Sequence, residues 1–342
     1  RVNTGDHLAL PYYNDFENEG DFDLLEVLDI NEDGNTWFLD TEYNTASYNF
    51  SRTMGGDDIL VMPMIKGESG HVYRMEFFTR SASQSYPDKL EVVCGSEPTS
   101  SGLGNILMDG RVIKNEGENL YVEFAPSCDG PLYFGFHCVS EKDMSRLFVD
   151  DIAISDCGKL SDPAPVTNLE IVPDADGALS VSISFTAPET TLGGTELKSL
   201  DGVEIYRNGK LIHTILNPAP GANLEYTDDE ADFGFNTYSV GAVAGGSGIN
   251  RVESKVFVGI YRMPFHVDPT SEEYSLFSIP GGERDGTWYH DSGENALKVT
   301  TYGSVQKDTY IFTPAIELTD ANLVEVTFDY RAGLASCTEE LE

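Results

Sequence analysis

Thr36-Trp37-Phe38-Leu39-Asp40 and Thr287-Trp288-Tyr289-His290-Asp291 are near copies, and they hold the only two tryptophans of the chain. Working outward, Asp57-Asp58-Ile59-Leu60-Val61-Met62-Pro63-Met64-Ile65 recurs as Asp308-Thr309-Tyr310-Ile311-Phe312-Thr313-Pro314-Ala315-Ile316, and Leu90-Glu91 recurs as Leu341-Glu342. Every pair is separated by the same 251 positions. A constant offset of this kind means one domain type used twice, with something different between the copies.

The remaining composition fits that plan. A chain of 342 residues exceeds one typical domain. Tyr, Phe, Val, Thr, Gly and Pro punctuate it and long helical patterns are scarce, which points to an all-β class. There are 21 Lys and Arg against 58 Asp and Glu, a net charge of −37. Nucleic acid and anionic membrane surfaces are poor partners for such a chain, whereas divalent cations and basic partners are good ones. The bland alternative is that acidity only keeps an exposed protein in solution. No run of about 18 apolar residues is present, so no membrane insertion is expected. The chain begins at Arg1 rather than Met, and an export segment is expected to have been removed. Five cysteines, Cys94, Cys128, Cys138, Cys157 and Cys337, cannot all pair within the chain. The first four allow three connectivities, and buried free thiols compete with bridges. The setting expected is oxidising and extracytoplasmic.

Strands are expected over 58–65, 71–79, 89–93, 120–124, 131–137 and 147–154. Val72-Tyr73-Arg74-Met75-Glu76-Phe77 shows the period of two, with Tyr, Met and Phe on one face. Gly, Pro, Ser and Asp mark the turns between them. Eight or so short strands in about 150 residues read as a two-sheet sandwich, a jelly roll. Ser161-Asp162-Pro163-Ala164-Pro165 then reads as a linker. The next unit contains the alternating Leu179–Phe185, a Val203–Ile212 hairpin around Asn208-Gly209, and Asn236–Val243. Seven short strands there fit an immunoglobulin-like sandwich.

That middle unit resembles a fibronectin type III domain. The resemblance rests on Pro165-Val166-Thr167-Asn168-Leu169, the Tyr206-Arg207-Asn208-Gly209 hairpin, Tyr226-Thr227-Asp228 and the strand of Tyr238. It implies that Tyr238 is a core tyrosine; Phe185 stands where the family usually has Trp. The expected division is 1–160, 161–260 and 261–342, with the third unit a second jelly roll. Because Glu342 matches Glu91, the expectation is that the native chain continues and that this unit is cut short.

Asp29-Ile30-Asn31-Glu32-Asp33-Gly34 has the D-x-N-x-D-G spacing of a calcium loop. Alternate oxygen-bearing side chains converge when the chain curls, and the glycine permits the turn. Asp29, Asn31 and Asp33 are therefore candidate Ca²⁺ ligands, with a solvated acidic turn as the alternative. Trp37 onward does not read as an exiting helix, so this is not an EF-hand. In the second copy, Ile279–Gly286 has lost the alternation and gained Arg284, so no calcium is expected there. Asp150 shares parity with Phe148, Ile152 and Ile154, and a carboxylate on an apolar face needs a cation or strong donors. With Glu17 it forms a second candidate ligand group, joining the first and last strands; a charge at a strand end is the alternative.

Together, Phe16-Glu17-Asn18, the loop 29–34 leading to Trp37, Asp57…Pro63, Leu132–His137 and Val149–Ile154 resemble the cleaved-adhesin family of jelly-roll modules. Those modules occur in gingipain haemagglutinin regions and related bacterial surface proteins. The resemblance covers the first repeat and the front half of the second. It implies structural Ca²⁺, although Glu32 departs from the family's glycine-rich loop.

No catalytic pattern accompanies these features. None of the six histidines sits in H-E-x-x-H or at zinc-ligand spacing. His137 and Cys138 are neighbours on a strand and face opposite ways. No G-x-S-x-G elbow is present. Tyr43, Tyr48, Tyr86, Tyr289 and Tyr302 are aromatics that could stack on sugars or simply pack. The reading is a monomeric, non-enzymatic, exported bacterial surface protein that binds host or matrix protein or glycan. Its rival is a non-catalytic accessory region of a secreted peptidase or glycosidase.

Overall fold

The computed structural model describes residues 7–18, 20–245, 250–266, 272–278, 288–291, 296–299, 310–314, 316–318 and 323–329. Among them the chain is all-β, with strands interrupted by only two short 3-10 turns. No helix is long and apolar enough to cross a membrane. The chain divides into two compact units: Arg1–Ile171, Ile183–Tyr226 and Thr237–Val256 form one; Val172–Ser182, Thr227–Asn236 and Phe257–Glu342 form the other.

The first repeat is a sandwich of twelve strands: β1 (Tyr12–Asn14), β2 (Glu26–Asp29), β3 (Phe38–Asp40), β4 (Thr45–Asn49), β5 (Asp58–Val61), β6 (Ile65–Gly67), β7 (His71–Ser81), β8 (Lys89–Gly95), β9 (Asn105–Val112), β10 (Glu118–Phe124), β11 (Gly130–Cys138) and β12 (Arg146–Lys159). One sheet runs β10-β7-β12-β4-β3 with β1 beside β12; the other runs β2-β5-β11-β8-β9 with β6 beside β11. The non-sequential strand order is that of a jelly roll. Alternation decides which side chains meet. Tyr73, Met75 and Phe77 of β7 face inward against Phe134 and Phe136 of β11. Phe77 and Phe136 pack edge to face with centroids 4.9 Å apart, a favoured aromatic geometry.

Every expected strand is present, with 58–65 broken into β5 and β6. Strands β2, β3, β4 and β9 were not anticipated. Strand β4, Thr-Ala-Ser-Tyr-Asn, is almost wholly buried despite its polarity. Strand β9 is largely exposed along the sheet edge. Neither shows the alternation that betrays a half-buried strand.

The middle segment supplies β13 (Thr167–Pro173), β14 (Val181–Thr186), β15 (Gly202–Arg207), β16 (Lys210–Leu216), β17 (Asn223–Asp228), β18 (Gly234–Val243) and β19 (Arg251–Val258). They form a three-stranded sheet, β13-β14-β17, and a four-stranded one, β16-β15-β18-β19. Asn208 and Gly209 both have positive φ, 50° and 77°, the turn that a two-residue hairpin needs. Tyr238 is fully buried and Phe185 nearly so.

Beyond it, Phe233, Phe257, Tyr261 and Phe265 form a chain of ring contacts. The described remainder contains β20 (Tyr261–Arg262), β21 (Trp288–Asp291), β22 (Ala296–Val299) and β23 (Ile316–Glu317). Hairpin β21–β22 pairs Tyr289 with Lys298, His290 with Leu297 and Asp291 with Ala296. Hairpin β3–β4 pairs Phe38 with Ser47, Leu39 with Ala46 and Asp40 with Thr45. The two registers coincide at the 251-residue offset, so the sequence repeat is also a repeat of strand pairing. The loop 279–286, Thr287, Tyr302, the Asp308-Thr309 pair, Cys337 and Leu341-Glu342 lie outside the described residues.

Candidate functional site

Strand β2 ends at Asp29, whose register partner on β5 is Asp58. Two residues back the same register pairs Val27 with the core residue Leu60. With a period of two, Asp29 and Asp58 therefore share the core-facing side at the sheet's end. From Asp29 the chain curls. Its Oδ1 accepts from the Asp33 N–H at 3.2 Å and its Oδ2 from the Gly34 N–H at 3.0 Å. Asn31 Oδ1 also accepts from the Asp33 N–H at 3.0 Å, and Asp33 Oδ1 from the Asn35 N–H at 2.8 Å. Positive φ at Glu32 (54°) and Gly34 (75°) makes the turn. Asn31 Nδ2 ties the loop to the Gly55 carbonyl. The structure thus brings Asp29, Asn31 and Asp33 together, with backbone N–H groups turned into their oxygens.

Asp58 completes this corner. It is fully buried. Its Oδ2 accepts from the Tyr48 hydroxyl at 2.5 Å, while Oδ1, also buried, has no hydrogen-bond partner. Burial raises its pKa; the Tyr48 hydrogen bond opposes that, and the charges of Asp29 and Asp33 reinforce it. An orphaned carboxylate oxygen beside two more carboxylates fits a hard, oxygen-seeking cation. Among the described residues no three His, Cys, Asp or Glu side chains already stand at metal-ligand spacing, which agrees with the Asp29 oxygens being occupied by backbone donors. Asp58 was not among the candidate residues read from the sequence. The signal was there: at the 251 offset Asp29, Asn31, Asp33 and Asp58 become Pro280, Gly282, Arg284 and Thr309. The four oxygen donors of that corner change together, apart from the threonine hydroxyl.

The second candidate group sits where β1 pairs with β12. Glu17 Oε2 accepts from Asn44 Nδ2 at 2.8 Å. The Asp150 carboxyl is pushed up to about 6, chiefly by burial, with the charges of Asp151, Asp15 and Glu17 adding to it. Glu17 and Asp150 are therefore within electrostatic reach, in a group of four carboxylates. One expectation needs correction. Asp150 does not share a face with Ile152 and Ile154. A bulge between Asp150 and Ala153, with Asp151 at φ 48°, shifts the register. Phe148 and Asp150 point outward and the two isoleucines inward.

The outer face of the β10-β7-β12-β4-β3 sheet carries rings. Tyr121 of β10 is 61% exposed, Tyr13 of β1 59% and Tyr43, from the β3–β4 turn, 48%. Of the two roles open to Tyr48, packing is the one it has: it is a buried core residue. Arg80 lies over the Phe148 ring, 4.0 Å from its centroid, and 5.4 Å from that of Tyr43.

His137 sits between Glu91 (Nδ1, 3.0 Å) and Asp57 (Nε2, 2.8 Å) on the outer side of β11. Cys138 faces the core, as strand alternation requires. Cys94, Cys128, Cys138 and Cys157 are free thiols, and burial pushes Cys94 and Cys138 up to about 12.

No protein-family model and no curated protein matches the sequence. Solved structures do. The K3 cleaved adhesin domain of Lys-gingipain from Porphyromonas gingivalis W83 is 17% identical over 42% of this chain and 96% of that one, with a TM-score of 0.34. The K1 domain of the same protein is 15% identical over 43% and 98%, TM-score 0.33. The CBM22-1 xylan-binding domain of Paenibacillus barcinonensis Xyn10C is 11% identical over 42% and 92%, TM-score 0.27.

Proposed function

We propose that this chain is a non-catalytic binding region of an exported bacterial surface protein. It would consist of a cleaved-adhesin-like jelly roll (1–160), a fibronectin type III-like spacer (161–260) and a second jelly roll (261–342). The three-plus-four strand arrangement and the buried Tyr238 support the spacer assignment. Ca²⁺ would be structural, held by Asp29, Asn31, Asp33 and Asp58, with Glu17 and Asp150 contributing to a second site. The orphaned Asp58 Oδ1 supports the first of these.

One observation carries the binding role: three exposed tyrosines, Tyr13, Tyr43 and Tyr121, stand on the outer face of one sheet. An exposed ring offers apolar area and a hydroxyl at little entropic cost, which suits glycan and protein surfaces alike. The ligand class proposed is host or matrix glycan or protein, with the spacer setting the distance between two modules. Glycan and matrix-protein arrays probed with the full chain at millimolar calcium test this. Saturable binding that Tyr43→Ala and Tyr121→Ala weaken is expected. Binding unmoved by either substitution, or none at all, would overturn it.

A further inference from the structure

Arg80 stands apart from the other arginines of its sheet face. The chain has 58 acidic residues against 21 basic ones, and several arginines of the first sandwich pair with carboxylates. Arg74 pairs with Glu123, Arg111 with Glu118 and Arg146 with Asp40. Arg80, on the same outer sheet face as Arg74 and Arg146, has no carboxylate and no hydrogen-bond acceptor among the described residues; its recorded contacts are the two rings. The reason is positional. Arg80 and Phe148 are direct cross-strand partners of β7 and β12, so the guanidinium carbon sits over the ring, 4.0 Å from its centroid. Tyr43 meets Phe148 edge to face at 81°, centroids 5.6 Å apart, and closes the second side.

The ring contacts hold the guanidinium in place, and its N–H groups have no acceptor among the described residues. A guanidinium fork matches a carboxylate, two parallel bonds to two oxygens. The half-exposed Tyr43 ring beside it is a stacking surface for a pyranose. Arg146, the other cation near Phe148, is already held by Asp40 and by Asn49 at 2.7 Å, so it cannot substitute.

The geometry points to a subsite for an acidic sugar. Arg80 grips the carboxylate of a uronate-type residue and Tyr43 stacks on its ring. This rests on the glycan reading above and narrows it from any glycan to anionic ones. An anionic ligand is the unexpected choice for a chain of charge −37, and it is selected by a guanidinium that has two rings and no carboxylate beside it.

The test is calorimetric titration of the full chain with an oligogalacturonate and with its carboxyl-reduced, neutral counterpart. The acidic form is expected to bind about ten- to a hundredfold more tightly, the range set by a hydrogen bond to a charged group. Arg80→Gln should erase that preference, and Arg80→Lys should restore little of it because the ammonium lacks the fork. Tyr43→Ala should weaken both ligands while keeping their ratio, and thermal melts check that each variant folds. Equal binding of both forms, unaffected by Arg80→Gln, overturns the subsite and leaves the glycan reading standing. No binding of either form overturns the subsite, while the arrays decide the broader reading. Stronger Arg80-dependent binding of peptides through their terminal carboxylate overturns the sugar assignment.

Discussion

Tyr48 on β4 donates its hydroxyl to Asp58 on β5, linking the two sheets of the first sandwich by a buried 2.5 Å hydrogen bond. The other Asp58 oxygen has no partner. Millimolar Ca²⁺ is therefore expected to raise the melting temperature of the full chain relative to EDTA, and Asp58→Asn to abolish most of that rise. A ligand at a hundred times its Kd contributes about 2.7 kcal/mol. Tyr48→Phe leaves the Asp58 carboxylate only the long 3.4 Å bond from the Asp57 N–H and should cost about 1–3 kcal/mol in urea unfolding without calcium. Melting curves of wild type and D58N that respond equally to calcium would remove Asp58 from the ligand set.

Asp88 gives a pH prediction. It is buried, and its carboxylate accepts from Ser81 at 2.7 Å and Ser140 at 3.0 Å. Burial raises its pKa above the ordinary 3.8, with the two serines opposing. The folded state then holds its proton to higher pH than the unfolded state does. This contribution to stability is fully present below pH 3.8 and is lost as pH rises through the folded value. Asp88→Asn should flatten that part of the stability profile, measured by urea titrations at stepped pH. An unchanged slope would contradict the assignment.

The thiols should separate by burial. Cys128 is exposed, whereas Cys94 and Cys138 are buried and pushed up to about 12. Brief alkylation of the native chain followed by peptide mass mapping should label Cys128. Cys94 and Cys138 should react only in denaturant, because little thiolate forms and the reagent has no access.

Gly209 tests the hairpin turn. Its φ of 77° is reached cheaply only without a side chain. Gly209→Ala is expected to cost about 1–2 kcal/mol by chemical denaturation, and Gly209→Asn less.

The β class, the repeat and the Asn-Gly hairpin were legible because each is a local pattern: alternation, a constant offset, a turn dipeptide. The curled loop of Asp29, Asn31 and Asp33 was legible for the same reason, since three oxygen-bearing side chains in five residues converge when the chain turns. Asp58 was not, because its role comes from register across β2 and β5, a contact between distant segments. Asp150 was misread since a bulge cannot be seen in a count of two. Strands β4 and β9 escaped because one is buried while polar and the other lies on an edge.

The sequence by itself determined the all-β class, a repeat at a constant offset, and an alternating acidic loop at 29–34 that the offset positions lack, since periodicity and spacing are properties of neighbouring residues. Tertiary structure alone decided which buried carboxylate keeps one oxygen without a partner and which arginine is set against two rings. Those depend on which side chains are pressed together from far along the chain, and on how much water burial takes away from them.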